Sequence, residues 1–77
     1  MPTVLLRHMA VGQKGVIARV TAFGELGRRI RDMGIVPGTP LQIQGRAPLK
    51  DPVAVRVRSC TLTLRNNEAD YIFVEVD

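Results

Sequence analysis

The sequence is poor in the residues that give small proteins their cross-links and their chemistry. Of 77 residues one is cysteine, one is histidine and none is tryptophan. A lone cysteine excludes an internal disulfide framework of the kind that staples small secreted domains. A lone histidine leaves little for nucleophilic catalysis, which needs a base beside the nucleophile and a third group to orient it. Aromatics are equally scarce, with two Phe and one Tyr. Proteins that hold single-stranded nucleic acid stack bases on such rings, so no nucleic-acid partner is expected. There is neither G-x-x-x-x-G-K-[ST] nor G-x-G-x-x-G, so no phosphate-cradling loop is present. The longest stretch without a charge, Met33 to Gly45, contains three Gly and two Pro, too short and too broken to span a bilayer. The opening residues MPTVLLRHMAVG place Arg7 and His8 where a secretory signal needs an unbroken apolar stretch. A cytoplasmic location is therefore expected.

What remains is ordinary in amount and uneven in placement. Hydrophobic residues make up 45% and charged residues 23%, a globular composition. A chain of this length forms one domain, residues 1–77, and buries only about 60% of its unfolded surface. It must be compact, or gain stability from a partner, a metal or a second copy of itself. Room for a closed pocket of a few hundred Å³ is small, so an enzyme is not expected. Eleven basic residues stand against seven acidic ones, a net of +4. Met1 to Arg31 carries six of the bases and one acid, whereas Arg65 to Asp77 carries one base and four acids. Such polarity suits nucleic acid, an anionic membrane face, an acidic protein or a head-to-tail copy.

Hydrophobic periodicity predicts short strands around one helix. Val16 to Thr21 reads as a strand with Val16, Ala18 and Val20 on one face, after turn glycines Gly12 and Gly15. Leu26, Ile30 and Met33 then recur at i, i+4 and i+7, the spacing of a helix face. Gly27 inside this helix weakens it by about 1 kcal/mol relative to Ala. Gly34 falls where a left-handed residue ends a helix, and Ile35 and Ile30 would form the accompanying contact. Val36-Pro37-Gly38-Thr39 has the composition of a type II turn. Alternation resumes at Leu41 and Ile43, followed by a loop over Gly45 to Pro52. Val53, Val55 and Val57 alternate with Ala54, Arg56 and Arg58, and Leu62 and Leu64 with Thr61 and Thr63. A tight hairpin across Ser59-Cys60 is expected. Arg65 to Asp70 reads as a single turn capped by Asn66 or Asn67, and Ile72, Val74 and Val76 form a last strand. The total is an all-β, partly open five-stranded barrel with one short inserted helix.

The segments GQKGVIARV, RRIRDMGIVPGTPLQI, APLKDPVAVRV and LTLRNNEADYIFV, in that order, resemble the FeoA family of small ferrous iron transport proteins. The similarity runs roughly from Leu5 to Val76. Its most specific part is the ordered set RDMGIVPG, DPVAV and LTLRNNEADYIFV. The resemblance implies an SH3-like barrel and a non-enzymatic cytoplasmic accessory of FeoB, a large inner-membrane ferrous iron permease with a GTP-binding domain. Contact with the membrane would come only through that partner. Similar domains also close the C-terminal ends of some metal-dependent repressors. Family members commonly carry Gly at the hairpin turn, where this chain has Ser59-Cys60.

Several residue sets bear on chemistry. His8 and Cys60 are the only soft metal ligands and lie 52 positions apart, against the three or four ligands of a zinc site. Asp32, Asp51, Glu68, Asp70, Glu75 and Asp77 show no cation-loop spacing. No cofactor, metal site or catalytic residue is therefore assigned. Arg28, Arg29 and Arg31 are the densest basic cluster. At about 100° per residue Arg28 lies opposite the apolar stripe, Arg31 well off it and Arg29 on its border. Arginine is favoured at protein contacts. Tyr71 and Phe73 fall on the face opposite Ile72 and Val74. These five residues are the expected partner-binding set. Two other readings stay open: a metal-responsive regulatory barrel, which has no helix-turn-helix of its own, and a small nucleic-acid-binding barrel with salt-dependent affinity.

Overall fold

A computed structural model describes residues 2–48 and 51–77. In chain order the elements are β1 (Thr3–Leu5), a 3₁₀ turn (Leu6–His8), β2 (Lys14–Val20), α1 (Gly24–Asp32), β3 (Pro40–Arg46), β4 (Val53–Val57), β5 (Cys60–Leu64), α2 (Asn66–Ala69) and β6 (Ile72–Glu75). All strand pairs are antiparallel, and the sheet runs β1-β6-β2-β3-β4-β5. It curls around a core in which Leu6, Ile17, Ile30, Ile43, Leu64 and Ile72 are almost wholly buried. The helix lies where the sequence puts it, after β2.

The sheet has six strands rather than the five expected. The extra one, β1, pairs Thr3 with Glu75, Val4 with Val74 and Leu5 with Phe73. Three residues are too few to display an alternation. The face expected for β2 is also corrected. Ile17 is the buried residue and Val16 is 39% exposed. The β2–β6 register shifts between Ile17 and Arg19. An inserted residue flips the inward set along a strand, so Ile17 and Val20 face the core and Val16 and Arg19 face out. Gly15 lies inside β2, not in a turn. A Cβ there would stand 2.5 Å from Val74 Cγ1 and 2.7 Å from the Glu75 carbonyl oxygen. A second irregularity between Ile43 and Gly45 lets β3 continue to Arg46, into what reads as loop in the sequence. Leu49 and Lys50 of that expected loop lie outside the described residues.

The helix stop forms as its residues dictate. Gly34 adopts φ +90°. Its amide donates to the Arg31 carbonyl at 2.9 Å, and the Ile35 amide donates to the Ile30 carbonyl at 3.3 Å. These are the two bonds of a Schellman stop, and Ile30 and Ile35 are both fully buried beside them. The Thr39 amide then closes on the Val36 carbonyl at 3.2 Å, with Gly38 also at φ +90°. Gly27 has a reason that helix propensity hides. A Cβ at this position would lie 2.5 Å from the Ala22 carbonyl oxygen, so only glycine lets α1 pack this close to the end of β2.

The β4–β5 turn falls one residue earlier than expected. Cys60 is paired with Val57, so Arg58 and Ser59 make the turn and Arg58 sits at φ 58°. This left-handed conformation costs a side-chain-bearing residue about 1 kcal/mol. The α2 cap also differs. Arg65, not an asparagine, is the N-cap. Its amide donates to Glu68 Oε1 at 3.0 Å, while the Asn66 amide donates to Asp51 Oδ1 at 3.0 Å. Two carboxylates thus satisfy the open end of α2, one of them from a distant loop.

Candidate partner-binding surface

The helix carries the first part of the predicted set. Arg28 and Arg31 are exposed, and neither is ion-paired among the described residues. Arg29 differs. Its Nη2 stands 3.4 Å from Glu68 Oε2, and Glu68 keeps only 5% of its side chain exposed. Glu68 Oε1 is already held by the α2 cap, and Oε2 receives no well-aligned hydrogen bond. Arg29 therefore compensates a buried carboxylate and joins α1 to α2, leaving Arg28 and Arg31 as the unpaired arginines of this helix among the described residues.

The two aromatics part in the same way. Tyr71, just before β6, is 40% exposed. Its carbonyl accepts the Thr21 amide at 2.8 Å, which brings the end of β2 beside it. Phe73 is half-buried on the outer sheet face, with Leu5 beside it on β1 and Arg19 beside it on β2. The Arg19 guanidinium carbon lies 4.1 Å from the ring centroid, a cation–π contact that covers the ring.

Sequence reasoning missed the most prominent apolar side chain. Phe23 is 86% exposed. Continued backward, the helix period would bury it three residues before Leu26. Instead Phe23 is extended at φ −133° and ψ 177°, and Gly24 follows at φ +68°, which turns the ring outward. Phe23 is two residues beyond Thr21, whose amide bonds the Tyr71 carbonyl, and it is the N-cap of the helix that carries Arg28 and Arg31. Exposed aromatics beside arginines are the residue types that dominate protein contacts.

The other candidates are occupied or scattered. Asp70 is tied to Arg7 at 2.9 Å, and Asp51 and Glu68 are committed to α2. Among the described residues no three His, Cys, Asp or Glu side chains form a group suited to a metal. His8 and Cys60 are both exposed, on different elements. Two open hollows mark the surface. One, of about 460 Å³, is lined by Lys14, Val16, Pro40, Arg56, Arg58, Glu75 and Asp77 among others. The other, of about 540 Å³, adjoins the 3₁₀ turn at His8, Arg46 and Asn66. The first has carboxylates without histidine and the second histidine without a carboxylate in its lining. No helix is long and apolar enough to cross a membrane among the described residues.

Comparison with known proteins converges on one family. The FeoA domain model matches residues 4–76. The chain belongs to the FeoA family. It is 37% identical over 71 residues to an Fe(2+) transport protein A/Fe(2+) transporter FeoB fusion protein of Porphyromonas gingivalis. That match takes in 92% of this chain and only 8% of the fusion protein. Among solved structures, a FeoA-like protein from Clostridium acetobutylicum superposes with a TM-score of 0.89 at 38% identity, covering 99% of this chain and 88% of its own. A manganese-dependent transcriptional repressor superposes with a TM-score of 0.89 at 25% identity, covering 99% of this chain and 42% of the repressor. The fold is the SH3-like barrel of the FeoA family.

Proposed function

We propose that this FeoA-family chain is a non-enzymatic cytoplasmic accessory of ferrous iron uptake, which binds the cytoplasmic part of a FeoB-type permease and modulates it. The observation that carries the reading is the relative in which the two proteins form one polypeptide. Covalent linkage holds two modules at an effective concentration of about a millimolar, an arrangement suited to partners that act together. The surface is consistent with this role. Arg28 and Arg31 are exposed on α1, whose N-cap is the exposed Phe23, and Tyr71 is bonded to Thr21 two residues before it. The mechanism is population shift. A ligand that contacts one state of the permease better than another moves the equilibrium by the difference in binding free energy.

Affinity capture tests the reading. The purified chain, immobilised, is exposed to the cytoplasmic part of a FeoB-type permease at micromolar concentration, with and without guanine nucleotide. Saturable capture that changes with nucleotide is the expected result. No capture under either condition contradicts the proposal.

A further inference from the structure

The sheet ends in two strands, and one of them is open to a partner. Among the described residues β5 is hydrogen-bonded to β4 alone. Its register is unbroken from Val57–Cys60 at the turn to Val53–Leu64. Bonded and non-bonded pairs alternate along an antiparallel ladder, and the two-residue turn makes Val57–Cys60 a bonded pair. Cys60, Leu62 and Leu64 therefore direct their main-chain groups to β4, and Thr61 and Thr63 direct theirs outward. Neither threonine takes part in any other backbone bond of the described chain. Both are exposed. The strand CTLTL contains no charge, no proline and no register break, the features that normally blunt an edge.

The charges that are missing from the strand stand around it. Arg56 is opposite Thr61 on β4, Arg58 is in the turn and Arg65 follows Leu64. All three are exposed, and none is ion-paired among the described residues. This frame acts against self-pairing. Two β5 strands laid antiparallel would bring Arg58 of one copy beside Arg65 of the other, a like-charge contact. It favours an acidic strand. The two faces differ as well, with Arg56 beside Thr61 on one and half-buried Leu62 on the other.

We propose that the β5 edge is a docking site for an extended segment of a partner protein with alternating acidic and apolar residues. The segment adds as a seventh strand. Its backbone bonds to the outward groups of Thr61 and Thr63, its carboxylates face Arg56, Arg58 and Arg65, and its apolar residues lie beside Leu62. This is strand addition, in which main-chain bonds supply affinity and alternate side chains supply specificity. The proposal stands independently of the permease reading.

The test uses the isotope-labelled full chain and a blocked heptapeptide alternating glutamate and valine. Binding is expected with a Kd of roughly 10–100 μM at low salt, weakening about fivefold or more as salt rises through the physiological range. The amides of Thr61 and Thr63 should shift and gain protection from exchange. Thr63→Pro removes an outward N–H and should abolish binding while β4 stays paired. The double variant Arg56→Glu/Arg58→Glu should weaken binding about tenfold or more, which keeps the test decisive if the proline variant fails to fold. A lysine–valine heptapeptide should not bind. Absence of binding at millimolar peptide overturns the proposal. So does binding that survives both variants, or self-association through β5, which would assign the edge to a second copy.

Discussion

The two edges of this sheet are finished in opposite ways. β1 is three residues long, and the 3₁₀ turn that follows it is tied down from several directions. Arg46 Nη2 donates to the carbonyls of Arg7 at 2.7 Å and Met9 at 2.8 Å, and lies 3.5 Å from that of Leu6. Arg7 pairs with Asp70, and the Val76 amide donates to the Pro2 carbonyl at 2.9 Å. β5 is longer and neutral and, like β1, is bonded on one side only among the described residues. One end of the sheet is short and continues into an anchored turn, whereas the other has only a ring of like charge around it. An edge fixed from within serves stability. An edge left open and guarded by charge is available for binding.

The largest effect should come from breaking the ladder that keeps β5 in place. Leu62→Pro removes an amide bonded to β4 and should cost about 3 kcal/mol or more, whereas Thr63→Pro should cost about 1 kcal/mol or less. Urea denaturation of the two variants reads the difference, and equal costs would mean the register is shifted. Next comes the anchored edge. Arg46→Ala leaves the Arg7 and Met9 carbonyls without their charged donor and should lower stability by about 2 kcal/mol, near 10 °C in Tm. Hydrogen exchange should quicken first around Val4 to Met9. A loss within about 0.5 kcal/mol of zero would show that the N-terminal segment is held by packing alone. Gly27→Ala gives a smaller loss, with two terms opposed. Helix propensity favours alanine by about 1 kcal/mol, but overpacking against a backbone oxygen costs roughly 2–3 kcal/mol. A net destabilisation is expected in a thermal melt, and a rise in Tm would contradict the close approach. The smallest change is at the open hairpin. Arg58→Gly relieves the left-handed turn and should stabilise by about 0.5 kcal/mol, after the greater freedom of glycine in the unfolded chain is counted. An unchanged or lowered Tm would show that the turn is unstrained.

What the sequence made legible was local. Gly34 and Ile35 spell the helix stop, and Pro37-Gly38 the turn after it, because each motif is complete within a few residues. The valine alternation of β4 likewise needs no distant partner. The irregularity in β2 was not legible, since one inserted residue exchanges the inner and outer faces without altering composition. β1 was hidden by its brevity. Arg46 reads as a loop cation, although its partners lie 37 to 40 positions away. In the candidate surface, Arg28 and Arg31 emerged as expected from the helix angle. Arg29 was diverted to Glu68, Phe73 was covered by Arg19, and Phe23 was exposed by backbone geometry that no period reveals.

The proposed contact surface comprises Phe23, Arg28 and Arg31 on and beside α1, together with Tyr71. Its most direct test is a side-by-side calorimetric titration of the cytoplasmic part of a FeoB-type permease with the unaltered chain and with Phe23→Asp/Arg28→Glu/Arg31→Glu, once circular dichroism shows both folded. A measurable Kd is expected for the unaltered chain, with an affinity about thirtyfold lower for the variant, the loss expected when an aromatic–arginine hot spot is removed. Equal affinities, or no heat of binding from either protein, would contradict it.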